Sequence, residues 1–323
     1  MPLDGRKTPT NCDIATLDIH IEFKWHNSED PFVVPGPSDS LEDSRFIRDS
    51  DNAKDTLGQI SAYAEAQLSA QYRTHAFSIY VLRDTARIIR WDREGAIVTA
   101  PINYNDDPSL VQFLSLYSHA PPQLRGTDTT VSPATKDEAT AARKKLGLPP
   151  GTPMFKTSVP RVTVPVEQRV ESVQPEQSEL TLIFPSFNVT PSLPARRATR
   201  ACPAYDPEGD RVVFLKDSWR ISASDTEPEG DIYLKLNTSH VAYVPLCLAC
   251  GDVDSWVEQK TQTLKHSKYS WACRKGLVIV SHTHYRLVLD LVGKSLSSFA
   301  SSKELVQALH DAAIGRLLSV LDK

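Results

Sequence analysis

The sequence predicts an α+β fold made of two modules. Its 323 residues exceed what one hydrophobic core usually serves, and 40% of them are apolar, which is enough for two cores. Strand-like and helix-like patterns of apolar residues lie on both sides of a segment rich in Ser, Thr, Pro and charge. We therefore expect a first module over residues 1–125, a linker over 126–150 and a second module over 151–323.

Net charge and cysteine content exclude several classes of protein. The formal net charge is −4 at pH 7, so no overall basic field attracts nucleic acid or an anionic membrane. Five cysteines at uneven spacing do not form a disulfide framework, which predicts a reducing compartment, the cytoplasm or the nucleus. No stretch has the pattern of a signal peptide or a membrane-spanning helix, so we expect a soluble protein without a membrane partner.

The first module is predicted to be a strand, a helix and a meander of three short strands. In LDIHIEFKW, residues 17–25, polar and apolar side chains alternate, and the simplest interpretation is that the polar face is exposed to solvent. Apolar residues at helical spacing follow: Leu57, Ile60, Ala64, Leu68 and Tyr72. The meander is expected over 76–83, 86–92 and 96–102.

The polar face of the first strand also contains a metal-site pattern. Glu22 and Lys24 have the Glu-x-Lys spacing that places a carboxylate and a lysine beside a divalent cation. Gln59 and Tyr63 lie four residues apart on the predicted helix. This strand and helix resemble the PD-(D/E)XK nucleases of the RecB type, which implies a Mg-dependent nuclease-like α/β module with Asp13 as a further metal ligand. We expect nucleic acid to bind only through this module, and a strand face without metal is the alternative.

The second module is predicted to consist of seven strands and two helices. The strands are expected over 159–166, 179–187, 198–206, 210–218, 241–249, 276–282 and 285–293. One helix is expected over 229–237. A closing helix begins at the capping box Ser301-x-x-Glu304.

Lys216 ends an apolar strand and is the main candidate site residue. A kinase-type site needs an ammonium directed at the α and β phosphates and a carboxylate from a nearby helix to hold that ammonium. Glu229 opens the predicted helix and can supply this carboxylate. The alternative is an ordinary exposed ion pair, worth about 0 to 1 kcal/mol.

Four segments in this order resemble the fungal-type protein kinase family, and residues 57–99 resemble the leader that precedes the kinase part. The segments are LKDSW at 215–219, EGDIYLKL at 229–236, VP to GDV at 244–253 and RLVLDLVGKSL at 286–296. The resemblance implies a partial protein-kinase-like fold, mainly the N-terminal lobe, that uses ATP and Mg²⁺ to phosphorylate Ser or Thr of proteins.

The resemblance also implies a role for individual residues. Lys216 would contact the ATP phosphates and Glu229 would pair with Lys216. Leu289, Asp290 and Leu291 would lie along the adenine ring. We treat Lys216 and Glu229 as catalytic and Lys216, Leu289, Asp290 and Leu291 as nucleotide-binding on this basis.

Two departures from the family pattern affect the expected activity. No glycine lies in SLPARRATRAC, where bare backbone would cover the phosphates, and we expect Arg196, Arg197 and Arg200 to offer positive charge there instead. The sequence contains no His-Arg-Asp and no Asp-Phe-Gly, which would supply the base and the Mg²⁺ carboxylate. We therefore expect a truncated pseudokinase without phosphotransfer; the alternative is a kinase-derived binding or scaffold protein.

Two further groups of residues yield expectations. Cys247 and Cys250 form a Cys-x-x-Cys, with Cys273, His282 and His284 as further zinc ligands, but strand alternation would direct the two thiols to opposite faces. We therefore expect Cys247 and Cys250 to be small buried hydrophobic residues and not zinc ligands.

Apolar residues at the end of the last helix would be uncovered in a single lobe and predict self-association: Leu317, Leu318, Val320 and Leu321.

Overall fold

The chain folds as two compact units. A computed structural model describes residues 13–34, 46–162, 179–187, 198–223, 225–254, 258–267 and 279–321. Unit 1 comprises residues 1–128, 192–196 and 261–281, and unit 2 comprises 129–191, 197–260 and 282–323. Within the described ranges, every helix is too short or too polar to cross a membrane.

Unit 1 consists of a mixed sheet and two helices. Its strands are β1 (Ile19–Lys24), β2 (Ala76–Leu82), β3 (Thr85–Trp91), β4 (Ala96–Val98) and β5 (Ile102–Asn103). Its helices are α1 (Asp51–Ala70) and α2 (Ser109–His119). β1 is parallel to β2, whereas β3 pairs antiparallel with β2, β4 and β5. A parallel pair needs a crossover connection, and α1 lies in that connection.

The apolar stripe predicted on α1 forms the core of unit 1. Ile60, Ala64 and Leu68 are buried against Tyr80 and Trp91 of the sheet. Their spacing of three and four residues places them on one side of a helix. The expected helix is therefore confirmed.

The solvent-exposed polar face expected for β1 is wrong. His20 is buried, and Lys24 lies under α1, where its Nζ donates a hydrogen bond to Gln59 Oε1 at 2.9 Å. The apolar Phe23 and Trp25 are instead 69% and 65% exposed. The side of α1 that faces β1 carries polar groups, and one of them, Gln59, supplies the hydrogen bond that the covered Lys24 requires.

Unit 2 is built on a seven-stranded antiparallel sheet, counting the described residues. Its strands are β6 (Ser132–Pro133), β7 (Met154–Pro160), β8 (Glu179–Pro185), β9 (Arg200–Asp206), β10 (Arg211–Ile221), β11 (Cys247–Asp252) and β12 (His282–Leu289). The order across the sheet is β11-β12-β10-β9-β8-β7-β6. Its helices are α3 (Lys136–Leu146), α4 (Glu229–Thr238) and α5 (Ser302–Leu321).

Residues 126–150, which we expected to be a linker, contain β6 and α3. The capping box of Thr135 and Glu138 starts α3. Two buried alanines of α3 pack against Met154 and Ile183 of the sheet. The alanines let the helix approach the strands closely, and residues 129–150 belong to unit 2.

The serine half of the capping box predicted for the last helix is present, whereas Glu304 Oε2 accepts from the Ala300 N–H and not from that of Ser301. Ser301 Oγ accepts a hydrogen bond from the Glu304 backbone N–H at 3.2 Å. The helix is open on one side. Val306 and Leu309 are 64% and 54% exposed. Leu317, Leu318, Val320 and Leu321, from which we expected self-association, have side chains outside the described part of the chain.

The sheet of unit 2 curves until the end of β7 meets β11. Arg161 and Ala249 form a bridge between these two strands. One face of the sheet is therefore enclosed, and the other carries α3 and α4. Neighbouring residues of a strand point to opposite faces, so Lys216 points towards α4 and Asp217 points inside.

Asp217 joins three strands inside unit 2. Its Oδ2 accepts a hydrogen bond from Arg286 Nε at 3.0 Å and lies 2.9 Å from His284 Nε2. Arg286 Nη1 in turn donates to Thr157 Oγ1 of β7 at 2.7 Å. Burial by itself raises the pKa of Asp217, but His284, Arg286 and Arg200 outweigh it and hold that pKa below its usual value.

We predict that Asp217→Ala destabilises unit 2 by about 3 to 5 kcal/mol, because Arg286 would keep its charge in an enclosed site without the carboxylate. The exposed Asp210, which pairs with Lys145, provides the control. Because its φ of 43° is better tolerated by Asn than by Ala, the control change is Asp210→Asn, which should cost far less than Asp217→Ala. Urea unfolding followed by far-UV circular dichroism measures both changes. Equal costs would contradict the prediction.

The same carboxylate predicts how stability depends on pH. Because the pKa of Asp217 is lower in the folded than in the unfolded state, its contribution is present above the unfolded value, about 3.9, and is lost as pH falls towards the folded one. The unfolding midpoint of the parent protein should therefore fall more steeply below about pH 4 than that of Asp217→Ala. Parallel profiles would exclude Asp217 as the source of the decline.

Candidate functional site

Lys216 and Glu229 form an ion pair with two hydrogen bonds. Lys216 Nζ donates to Glu229 Oε1 at 2.7 Å and to Oε2 at 2.6 Å. The lysine lies on β10 between Ala201 of β9 and Leu287 of β12. Both side chains are about three-quarters buried, with 24% and 29% exposed. The structure therefore brings together the two residues, Lys216 and Glu229, that the sequence analysis paired.

Helix α4 holds Glu229 because it is attached to the sheet at both ends. Near its start, the backbone N–H of Gly230 donates to Tyr285 Oη at 3.1 Å. Near its end, Asn237 Nδ2 donates to the Pro245 carbonyl and Asn237 Oδ1 accepts from the Cys247 N–H, both at 2.9 Å. Glu229 also lies at the positive end of the helix dipole, which favours a carboxylate.

Gly230 allows the first turn of α4 to approach the sheet. A Cβ at this position would overlap with Cys250 Sγ and Tyr285 Oη. Gly230 is part of the segment EGDIYLKL, but the sequence pattern alone was not used to predict a role for it. The signal was available in the placement of a glycine, a poor helix former, in the first turn of a predicted helix.

The three residues expected along an adenine ring occupy different environments. Leu289 is buried in a cluster with Tyr285 and Leu287 on the side of the sheet that carries α4. Asp290 closes the strand end, since its Oδ1 accepts from the Leu246 N–H at 2.8 Å. Leu291 is 60% exposed. Of these three residues, Leu289 and Leu291 have the apolar side chains that an adenine ring could contact, whereas the Asp290 carboxylate is hydrogen-bonded to the backbone.

Arg200 does not offer positive charge to a phosphate. Its side chain is buried on the enclosed face, lies over the Phe187 ring at 5.9 Å and acts on Asp217. The expectation that Arg200 could replace a glycine-rich loop is therefore wrong. Arg196 and Arg197 lie outside the described residues.

The family of the chain follows from a comparison with known families. The sequence profile of fungal protein kinases matches residues 44–319. The chain belongs to the fungal protein kinase family. The match includes both the leader-like segment and the four segments around Lys216, so the resemblance is confirmed. Searches of curated proteins and of solved structures found no match.

Unit 1 of this fungal kinase relative brings four of the nuclease-like residues together. Lys24 Nζ lies 3.0 Å from Glu22 Oε1 and donates to Gln59 Oε1 at 2.9 Å. Gln59 Nε2 donates to Tyr63 Oη at 3.0 Å. Asp13 lies in the exposed turn before β1 and accepts a backbone hydrogen bond there. The described residues contain no group of three His, Cys, Asp or Glu side chains suited to hold a metal.

The zinc ligands considered for the Cys-x-x-Cys are not brought together in the described part of the chain. Cys247 and Cys250 pack on the cluster beside α4. His284 lies on the enclosed face of the sheet, where it is stacked on Trp219. Cys273 lies outside the described residues.

We predict that Gly230→Ala destabilises the protein by about 1 to 3 kcal/mol, because the added methyl group overlaps with Cys250 and Tyr285. Gly58 in α1 is the matched control, since no atom lies within 4 Å of an added Cβ there. Gly58→Ala should stabilise by about 0.5 to 1 kcal/mol, as expected for a helix interior. Urea unfolding would contradict the prediction if both changes had the same sign.

Proposed function

We propose that unit 2 binds the phosphates of a nucleoside triphosphate through Lys216. The two-bond ion pair with Glu229 is the observation that supports this function most directly. In protein kinases the lysine of a strand contacts the phosphates, and a glutamate of the following helix keeps it in place. Here the strand, the helix and the pairing occur together in a member of the fungal protein kinase family.

ATP is the cofactor that family membership implies, and the surroundings of Lys216 fit its phosphates. The ammonium has three hydrogens and gives two to Glu229, so within the described residues one remains for a phosphate oxygen. About a quarter of the side chain is exposed, which leaves it accessible. Mg²⁺ fits less well, because no cluster of metal ligands occurs among those residues. We therefore assign no magnesium ligand in unit 2.

Phosphate transfer to a protein Ser or Thr requires groups besides Lys216. In protein kinases a His-Arg-Asp segment supplies the base and an Asp-Phe-Gly segment binds Mg²⁺. Residues 1–323 contain neither segment. The proposal therefore gives this polypeptide nucleotide binding, as in a kinase-derived binding or scaffold protein, and no transfer by these residues alone.

We predict that Lys216→Met weakens ATP binding by about 10- to 100-fold. A hydrogen bond from a charged group contributes about 1.5 to 3 kcal/mol, and about 1.4 kcal/mol corresponds to tenfold in affinity. Isothermal titration calorimetry of the 323-residue protein with Mg²⁺-ATP measures the change.

The matched control for this experiment is Lys156→Met. Lys156 Nζ donates to Glu138 Oε1 at 2.7 Å, so this variant also removes a lysine–glutamate pair of the same unit. It should keep the parent affinity. Equal affinities of the parent and Lys216→Met, or no binding by the parent, would refute the proposed function. Phosphorylation of a protein by this polypeptide would refute only the absence of transfer.

We also propose a second candidate function, metal-dependent cleavage of nucleic acid by unit 1. It is supported by the chain of contacts Glu22–Lys24–Gln59–Tyr63, which matches the residue types of a nuclease-like strand and helix. Lys24 would polarise the attacking water, and Glu22 would bind the cation. Asp13 is the remaining ligand that this function needs.

We predict that, if unit 1 is a nuclease, Mn²⁺-dependent nicking of a plasmid is lost in both Glu22→Gln and Lys24→Met. Asp55→Asn, a change of an exposed carboxylate on α1, should nick as the parent does. Gel electrophoresis of supercoiled plasmid shows the outcome. A parent protein that leaves the plasmid intact, or nicking that survives Glu22→Gln, would exclude this function.

A further inference from the structure

An irregularity in β11 brings two thiols to the same side of the sheet. Cys247 pairs with Leu289 and Ala249 pairs with Val288, so three residues of β11 oppose two of β12. Residues three apart on a regular strand face opposite sides, but such a bulge redirects one of them. Cys247 and Cys250 consequently pack on the same cluster. The expectation that these thiols point apart is therefore wrong.

The two thiols are suited to react with each other. They lie opposite Leu289 and Leu287, which are two residues apart on β12 and share one face, and both are only half-buried, so a small oxidant can reach them. The neighbouring Cys247 thiol lowers the pKa of Cys250 to about 7; burial opposes the shift, and Tyr285 adds to it. A thiolate is the nucleophile in thiol oxidation. Cys202 differs, because burial raises the pKa of its thiol.

Close contacts connect these thiols to the candidate site. The Tyr285 hydroxyl accepts the Gly230 N–H at 3.1 Å, and Tyr285 packs in one cluster with Cys250. Gly230 directly follows Glu229, whose carboxylate holds Lys216. The backbone of Gly230 also lies so close to Cys250 that no side chain fits between them. A change at the sulfur atoms therefore acts directly on the first turn of α4.

We propose that Cys247 and Cys250 form a redox-active dithiol, which hydrogen peroxide converts to a disulfide, and that this disulfide weakens the hold of α4 on Lys216. The dithiol chemistry is independent of the proposed nucleotide binding. Its effect on ligand affinity rests on that proposed function.

The oxidation proceeds in two balanced steps. The Cys250 thiolate attacks one oxygen of hydrogen peroxide and becomes a sulfenic acid, and the hydroxide that leaves takes up a proton as water. The Cys247 sulfur then attacks the Cys250 sulfur, the S–S bond forms, and the sulfenic hydroxyl leaves with the Cys247 proton as a second water. Two thiols are oxidised and one peroxide is reduced. A dithiol reductant reverses the reaction.

The first test uses the full-length variant Cys12→Ser/Cys273→Ser, which keeps the thiols of Cys202, Cys247 and Cys250. Hydrogen peroxide should remove two of these three titratable thiols, and peptide mapping should join Cys247 to Cys250. Adding Cys202→Ser should leave this disulfide unchanged. Adding Cys247→Ser should instead stop the reaction at a Cys250 sulfenic acid that dimedone traps.

Three outcomes of this experiment would overturn the dithiol. Either all three thiols survive peroxide, or Cys250 is oxidised in the presence of Cys247 without joining it. A disulfide that includes Cys202 would overturn it as well.

The second test compares Mg²⁺-ATP affinity of the reduced and the oxidised protein. We expect binding to be weaker by about 5-fold or more after oxidation, the lower end of typical coupling between two sites. Cys247→Ala/Cys250→Ala, which has neither thiol, should bind equally with and without peroxide. Equal affinities of the two forms of the parent would overturn the coupling. Absence of binding in the reduced parent would overturn the proposed function and the coupling, while the mapped disulfide would remain.

Discussion

An enclosed carboxylate, Asp217, orders the second unit of this fungal protein kinase family member. It is buried, and Arg286, His284 and Arg200 surround it and hold its pKa below the usual value, so that it remains ionised. Removing a partner from such a group is costly, so the strands that carry these residues have little freedom to slide. A shift of β10 by one residue would exchange the two faces and place Lys216 inside the sheet. The position of Lys216 therefore depends on its neighbour in the chain.

This alternation explains the composition of the segments that identify the family. In LKDSW, Lys216 faces α4, whereas Asp217 and Trp219 face the interior, where Trp219 stacks on His284. In RLVLD, Arg286 faces inside and Leu287 packs beneath α4. Each segment thus serves the candidate site with one set of residues and stabilises the sheet with the other.

In unit 1, the polar face of β1 is covered by α1, and apolar residues of its other face are exposed to solvent, the reverse of an ordinary half-buried strand. Lys24 of β1 and Gln59 of α1 bind each other between strand and helix, and Gln67 donates to the carbonyls of Leu17 and Asp18. Buried polar groups are tolerated when such bonds are made. The nuclease-like residues therefore meet because they satisfy each other's hydrogen bonds between β1 and α1. A purely structural role would produce the same contacts.

The sequence by itself determined the features that depend on local periodicity and on the order of motifs. The apolar stripe of α1 and the serine that caps α5 belong to this group. The pairing of Lys216 with Glu229 belongs to it as well, since a strand that leads into a helix brings those two residues together. Only the tertiary structure decided which face of β1 is buried and that Arg286, distant in the chain, neutralises Asp217. It also decided that the bulge in β11 places the two thiols on the same side of the sheet. These features depend on partners from other strands and helices, and the spacing of residues within one segment contains no information about such partners.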